Sequence, residues 1–271
     1  MKTFKLILLL FCLIPSFTYS ASLTVGCATK CDFFFHLALK KTAKSLGHQV
    51  VVEDVSQMGT KIDWQRYDAI IMPGGADIDP KYYLDSLEPE WQEVTRSLDH
   101  LVKYSAEGRR RDPIEYNLLK EYFQNPDLKE LPVLGVCRGM QMIAVSQGIP
   151  LYVDIKTELG IRNRRYLFDT IRPESTDSVM KTLFPNPFRA FKRHHQGVRV
   201  DYFHEHSSRW NEVSITSYSN NKMIAESIEF KNRPVLGVQF HPENDFGFER
   251  RRIFTWLLSK AVIRRASLLE K

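Results

Sequence analysis

Short apolar runs alternate along this chain with longer segments whose apolar residues recur at helical spacing. Ser22 to Gly26 reads as a first strand. Asp32 then stands at a cap position before Phe35, Leu39, Ala43 and Leu46, which fall on one helical face that closes near Gly47. Gln49 to Val52 and Ala69 to Met72 are the next two strands. Asp112-Pro113-Ile114-Glu115 has a capping-box pattern with proline at the first helical position, which predicts a helix start followed by inward-facing Leu118, Leu119, Tyr122 and Phe123. Pro132 to Val136 is a further apolar strand, followed by a helix from Gly139 to Gln147 with Met140, Ile143 and Ala144 on its inner side. Tyr152 to Phe230 is strand-rich, with turn signals at Pro173, Pro185, Pro187 and Asn220-Asn221. A strand from Pro234 to Val238 and a last helix carrying Ile253, Trp256, Leu257 and Ala261 complete the order. Such alternation predicts an α/β fold: a mostly parallel central sheet with helices on both faces and a ligand cleft at the carboxyl ends of the strands.

Chemistry concentrates at three of those strand ends. In Gly135-Val136-Cys137-Arg138-Gly139 a cysteine falls at the sharp turn from strand to helix, in the manner of a nucleophile elbow. Helix N–H groups and the helix dipole favour a thiolate there and are placed to receive a developing oxyanion. Taken alone, the segment also fits a buried cysteine packed as a small hydrophobe. Gly237-Val238-Gln239-Phe240-His241-Pro242-Glu243 changes that balance, because it supplies an imidazole to take the sulfur proton and a carboxylate to fix the imidazole tautomer. The intervening proline is expected to keep the backbone extended, so that His241 and Glu243 leave one strand end on the same side. The third segment, Met72-Pro73-Gly74-Gly75-Ala76-Asp77, is a glycine turn in which the Gly75 N–H, together with that of Arg138, would form an oxyanion hole.

These segments, in this order, resemble the class I glutamine amidotransferase-like superfamily, and especially its gamma-glutamyl hydrolase branch with the gamma-glutamyl-gamma-aminobutyrate hydrolase-like proteins. The resemblance extends to Pro-Gly-Gly-x-Asp-Ile-x-Pro with Tyr82 or Tyr83 behind it, Arg111-Asp112-x-x-Glu115, Tyr152-x-Asp154-Ile155 and His194-His195-Gln196, over roughly residues 22 to 260. It implies a flavodoxin-like three-layer architecture and a triad of Cys137, His241 and Glu243. It also implies that Gln141 and the His195-Gln196 region, with Gly74 beside them, hold the α-amino and carboxylate groups of a small gamma-glutamyl substrate, without metal or organic cofactor. Where the family usually reads Gly-Gly-Thr after the elbow helix, this chain has Gly148-Ile149-Pro150, and Phe191-Lys192-Arg193 leads into the double histidine.

The first twenty residues form a separate unit. Met1 to Lys5 is basic, Leu6 to Ile14 apolar, and Thr18-Tyr19-Ser20 presents small residues before Ala21, so a signal peptide over 1–20 and a single hydrolase domain over 21–271 are expected. That leader predicts entry to the secretory pathway, and no later run is long and apolar enough for a membrane span of ~20 residues. Beyond it the cysteines are Cys27, Cys31 and Cys137, an odd set with at least one free thiol; Cys27 and Cys31 fit either a small disulfide or two separate buried thiols. With 271 residues and 43% hydrophobic content the chain has ample core. The net charge of +6 falls to +4 once Lys2 and Lys5 are removed, and no aromatic-interleaved basic stripe argues for nucleic acid. His194, His195, His204, Glu205 and His206 lack the regular spacing of a zinc site, so no metal is expected. A homodimer is allowed. The same triad would serve a glutaminase subunit feeding ammonia to a synthetase, or survive in a non-catalytic binding protein; export and the lack of a fused synthase segment favour the hydrolase.

Overall fold

A computed structural model describes residues 20–57, 62–161, 167–245 and 247–270. In chain order the strands are β1 (Ser22–Cys27), β2 (Gln49–Asp54), β3 (Ala69–Met72), β4 (Val133–Val136), β5 (Leu151–Tyr152), β6 (Leu167–Pro173), β7 (Phe188–Lys192), β8 (Gly197–Val198), β9 (Val213–Ser219), β10 (Ile224–Phe230) and β11 (Val235–Val238). The helices are α1 (Phe33–Ser45), α2 (Pro89–Ser97), α3 (Ala106–Gln124), α4 (Arg138–Ser146), α5 (Ile155–Leu159), α6 (Val179–Leu183), α7 (Val200–Glu205) and α8 (Phe248–Leu269). Among the described residues nine strands form one sheet in the order β2-β1-β3-β4-β11-β10-β9-β6-β7, and β5 pairs separately with β8. The half from β2 to β11 is parallel, whereas β10, β9, β6 and β7 extend it antiparallel. The parallel sheet read from the alternating elements is thus the half that carries all three chemical segments.

Alternation along the short central strands sorts their side chains onto two cores. Ile70, Met72 and Val133 pack with Leu118, Leu119, Tyr122 and Met140 from α3 and α4 on one face. Ala69, Ile71, Leu134, Val136, Leu236 and Val238 pack with Phe35, Leu39, Phe254 and Leu257 from α1 and α8 on the other. β3, β4 and β11 are buried at every position because neither face meets water, as parallel strands between two helical layers require. Among the described residues no helix is long and apolar enough to cross a membrane.

Several boundaries differ from the sequence expectation. The helix expected to start at Asp112 begins at Ala106, capped by the Ser105 hydroxyl, which accepts from the Gly108 N–H at 3.0 Å. Pro113 therefore lies inside α3, and Asp112 is not a cap: its carboxylate accepts from the Asp79 N–H at 3.2 Å and from Arg138 at 2.5 Å. The polar groups that suggested a cap serve tertiary contacts instead. The described part of Tyr152 to Phe230 includes the short helices α5, α6 and α7 and a 3-10 turn over Ser207–Trp210 as well as strands, while Asn220 and Asn221 take the positive φ values of a tight β9–β10 turn. Cys27 and Cys31 are joined as a disulfide with Cα atoms 5.8 Å apart, and Cys137 is a free thiol. Residues 1–19, most of the expected leader, lie outside the described residues.

Candidate active site

The turn from β4 into α4 runs through Cys137, whose φ of 52° and ψ of −106° are strained for any residue with a Cβ. Two hydrogen bonds hold it there: the Cys137 N–H donates to the Val238 carbonyl at 2.8 Å, and its own carbonyl accepts from the Gln141 N–H at 3.2 Å. The flanking glycines serve close packing, since a Cβ on Gly139 would lie 1.9 Å from the Met72 carbonyl oxygen and one on Gly135 would lie 2.8 Å from that of Gly139. The helix begins at Arg138, one position before the expected Gly139, so Cys137 itself is the N-cap residue. Its side chain is 5% exposed and its sulfur lies 3.9 Å from the Arg193 carbonyl oxygen.

β11 pairs in parallel with β4 in matched register, Val238 beside Val136, so the segment leaving β11 emerges next to the elbow. His241 is fixed there by its N–H, which donates to the Phe191 carbonyl at 2.9 Å. Instead of staying extended, the chain makes a 3-10 turn over Pro242–Asn244, which folds Glu243 back until its Oε1 is 2.6 Å from His241 Nδ1. The imidazole Nε2 is buried with no hydrogen-bond partner among the described residues, and Cys137 stands close enough to the ring to act on its charge. Burial pulls the imidazole pKa down, but the charge and hydrogen-bonding capacity of Cys137, with the Glu243 carboxylate, outweigh it and hold the ring well above its usual value. Changing Glu243 to glutamine removes one raising influence and the tautomer lock, so the alkaline limb of kcat/KM should move to lower pH and kcat fall on the order of 10²–10⁴-fold. A pH–rate profile checks this; an unchanged profile would remove Glu243 from the arrangement.

The Pro73–Gly75 turn faces both side chains. A Cβ on Gly74 would lie 3.2 Å from His241 Cε1 and 3.7 Å from Cys137 Cβ, so glycine here brings the loop against the pair. Arg111 grips the turn from behind, donating to the carbonyls of Pro73 at 3.0 Å and Gly74 at 2.8 Å. Peptide planarity then directs the N–H groups of Gly74 and Gly75 away from the guanidinium. The Gly75 N–H makes no hydrogen bond among the described residues. Burial lowers the pKa of Arg111, and it lowers that of Arg138 to about 10, where the nearby Arg111 charge adds to the effect.

Cys137 and His241 open into a cleft of about 430 Å³ that Gly75, Asp77, Lys103, Glu107, Gln141, Arg193, His195 and Gln196 also line. A larger, more open depression of about 690 Å³ around Lys81, Tyr116 and Gln147 holds none of these groups. Gln141 Nε2 donates to the Gln196 carbonyl at 2.9 Å, which fixes the amide orientation and leaves Oε1 as its spare acceptor. Both ring nitrogens of His195 are engaged, Nε2 with Asp77 at 2.9 Å and Nδ1 with Asp154 at 3.2 Å. The Gln196 amide braces Ile78, accepting its N–H at 3.0 Å. His194 is buried, which pushes its pKa well below the ordinary value, and its Nδ1 lies 2.8 Å from the Gln196 carbonyl. His204 lies 3.2 Å from the Tyr218 hydroxyl and His206 stacks on Tyr202; among the described residues no group of three or more His, Cys, Asp or Glu side chains is disposed to hold a metal. Sequence reasoning assigned no role to Arg111, Glu107 or Lys103, although the four-residue spacing of Glu107, Arg111 and Glu115 is a visible signature of a helical ion-pair ladder.

This geometry has parallels elsewhere. Residues 41–243 match the family model described as peptidase C26. A glutamine amidotransferase-like protein of Lactococcus lactis, YvdE, is 27% identical over 206 residues, 74% of this chain and 76% of its own. The glutaminase domain of the Trypanosoma brucei CTPS superposes with a TM-score of 0.59 at 13% identity, over 89% of this chain and 94% of that one. A GMP synthase component of Thermoplasma acidophilum superposes at 0.56 and 14% identity, over 90% and 97%. With its mixed sheet, its cysteine elbow and a family match over most of its length, the chain belongs to the peptidase C26 family of glutamine amidotransferase-like hydrolases.

Proposed function

We propose that this protein is a cysteine hydrolase that cleaves gamma-glutamyl amide or peptide bonds and releases glutamate. The observation that carries the reading is the cleft itself, where a thiol and an imidazole, the latter backed by a buried carboxylate, open onto charges of both signs, Asp77 and Glu107 with Lys103 and Arg193. A gamma-glutamyl group is a zwitterion at its far end, and such a lining offers partners to both its ammonium and its carboxylate. The spare Gln141 acceptor adds a further site for the ammonium.

In the proposed reaction the Cys137 sulfur, its proton taken by His241, attacks the gamma-carbonyl carbon and forms a C–S bond. The carbonyl electron pair moves to oxygen, where the N–H groups of Gly75 and Arg138 receive it. As the pair returns, the C–N bond breaks and the imidazolium protonates the departing amine, leaving a gamma-glutamyl thioester. Water, deprotonated by His241, then attacks the thioester, and the thiol leaves with the proton. Export is proposed with this reading, supported by the basic, apolar and small-residue order of the first twenty positions and by the Cys27–Cys31 disulfide, a bond typical of oxidising compartments.

The competing reading, a glutaminase subunit that passes ammonia to a synthetase, draws on relatives such as the glutamine-hydrolyzing GMP synthase component of Ignicoccus hospitalis, 30% identical over 112 residues, 41% of this chain and 50% of its own. Residues 21–271, assayed alone against gamma-glutamyl and alpha-glutamyl amides with varied leaving amines, separate the two. Hydrolysis confined to gamma-linked substrates is expected. Indifference to every gamma-glutamyl peptide, with ammonia released from glutamine only when a synthetase is added, would overturn the hydrolase reading.

A further inference from the structure

Glu115 lies behind the elbow at the midpoint of α3 and is fully buried. Its Oε1 accepts from Arg111 Nε at 2.9 Å and from the Thr29 hydroxyl at 2.8 Å, while its Oε2 accepts from the Arg138 guanidinium. Each arginine governs one half of the oxyanion site. Arg111 holds the Pro73 and Gly74 carbonyls, and it lies so flat against the turn that a Cβ on Gly75 would fall 2.1 Å from its Nη1. Arg138 carries the other donor on its own backbone and opens α4. The two halves come from segments far apart in sequence, and this carboxylate bonds to both of the arginines that hold them.

We propose that Glu115 is the positioning residue of the oxyanion site, setting the separation and direction of the Gly75 and Arg138 N–H groups by holding both guanidinium groups at once. The proposal rests on the reading that Cys137 is acylated at a carbonyl carbon. Glu115 touches neither substrate nor sulfur, so it acts only through the arginines. With glutamine in its place two guanidinium groups face a neutral amide that cannot accept from both with the same strength, and the two peptide segments are released from a common reference. Misplacement of a donor by ~1 Å costs up to about 10²-fold in rate.

Two reactions of the same sulfur separate positioning from general damage. Acylation by a gamma-glutamyl 4-nitroanilide or by 4-nitrophenyl acetate develops an oxyanion; alkylation by iodoacetamide does not. For Glu115→Gln the acylation rate should fall about 10- to 100-fold with KM within about twofold, while alkylation of Cys137 stays within about threefold. Arg111→Lys, which keeps the charge but cannot hold two carbonyls and Glu115 together, should give the same split and serves if the glutamine variant does not fold. Equal loss in both reactions, or loss in neither, overturns the proposal. If the wild-type protein ignores gamma-glutamyl compounds yet is acylated by the ester, the substrate reading fails while the ratio of acylation to alkylation still decides the role of Glu115.

Discussion

Replacing Cys137 with glycine is expected to abolish amide hydrolysis and at the same time to make the protein more stable. The loss of activity follows from removing the sulfur that the proposed reaction acylates, and reductions on the order of 10⁴–10⁶-fold in kcat are usual when a nucleophile is deleted. The gain in stability follows from the backbone. At φ 52° and ψ −106°, Cys137 holds a conformation that residues with a Cβ adopt at a cost of about 1–3 kcal/mol, and glycine adopts it freely. Alanine keeps the Cβ and therefore the strain, so Cys137→Gly should melt above Cys137→Ala by about 2–12 °C, although both are inactive. Thermal unfolding of the two variants checks this. Equal melting temperatures would mean the elbow is relaxed, and full activity in either would refute the nucleophile.

Gly139→Ala should have the opposite effect on stability. A methyl group there would lie 1.9 Å from the Met72 carbonyl oxygen and 2.6 Å from its carbon, both backbone atoms in the centre of the sheet. No side-chain rotation relieves such a contact, so α4 must lift off β3. Overpacking of this kind costs about 1–3 kcal/mol and sometimes more, a fall of about 2–12 °C in Tm for a chain of this size. Because lifting α4 also carries Cys137 and the Arg138 N–H away from the Pro73–Gly75 turn, kcat should fall together with Tm. Circular dichroism melting and steady-state kinetics on the same preparation measure both; a Tm equal to that of the unsubstituted protein would show that the elbow is looser than its contacts indicate.

How much of this was legible in the sequence depended on the range of the interactions involved. The central strands were readable because Ala69 to Met72, Pro132 to Val136 and Pro234 to Val238 are short, apolar and bounded by turn residues, a pattern that burial on both faces imposes. The convergence of Cys137 with His241 followed from placing each at the carboxyl end of such a strand, and the register of β4 with β11 makes those ends neighbours. The start of α3 was misread because Asp112 and Pro113 carry a strong local helix-start signal, whereas the actual cap, Ser105, precedes an undistinguished Ala-Glu-Gly and gains its advantage from tertiary packing of Arg111 against the glycine turn. The Glu243 turn was misjudged for a related reason: proline at the first position of a 3-10 turn is as acceptable as in an extended segment, and the Glu243 contact with the imidazole favours the turn. The engagement of His195 and Gln196 by Asp77, Asp154 and Ile78 depends on side-chain directions across three segments, which no spacing in one segment reports.

The most direct measurement is chemical quench of the protein with a gamma-glutamyl 4-nitroanilide, followed by peptide mass spectrometry. One glutamyl group should be found on the peptide containing Cys137, transiently and in step with release of the aniline. Turnover with no adduct at Cys137, or with the glutamyl group on another residue, would contradict the account.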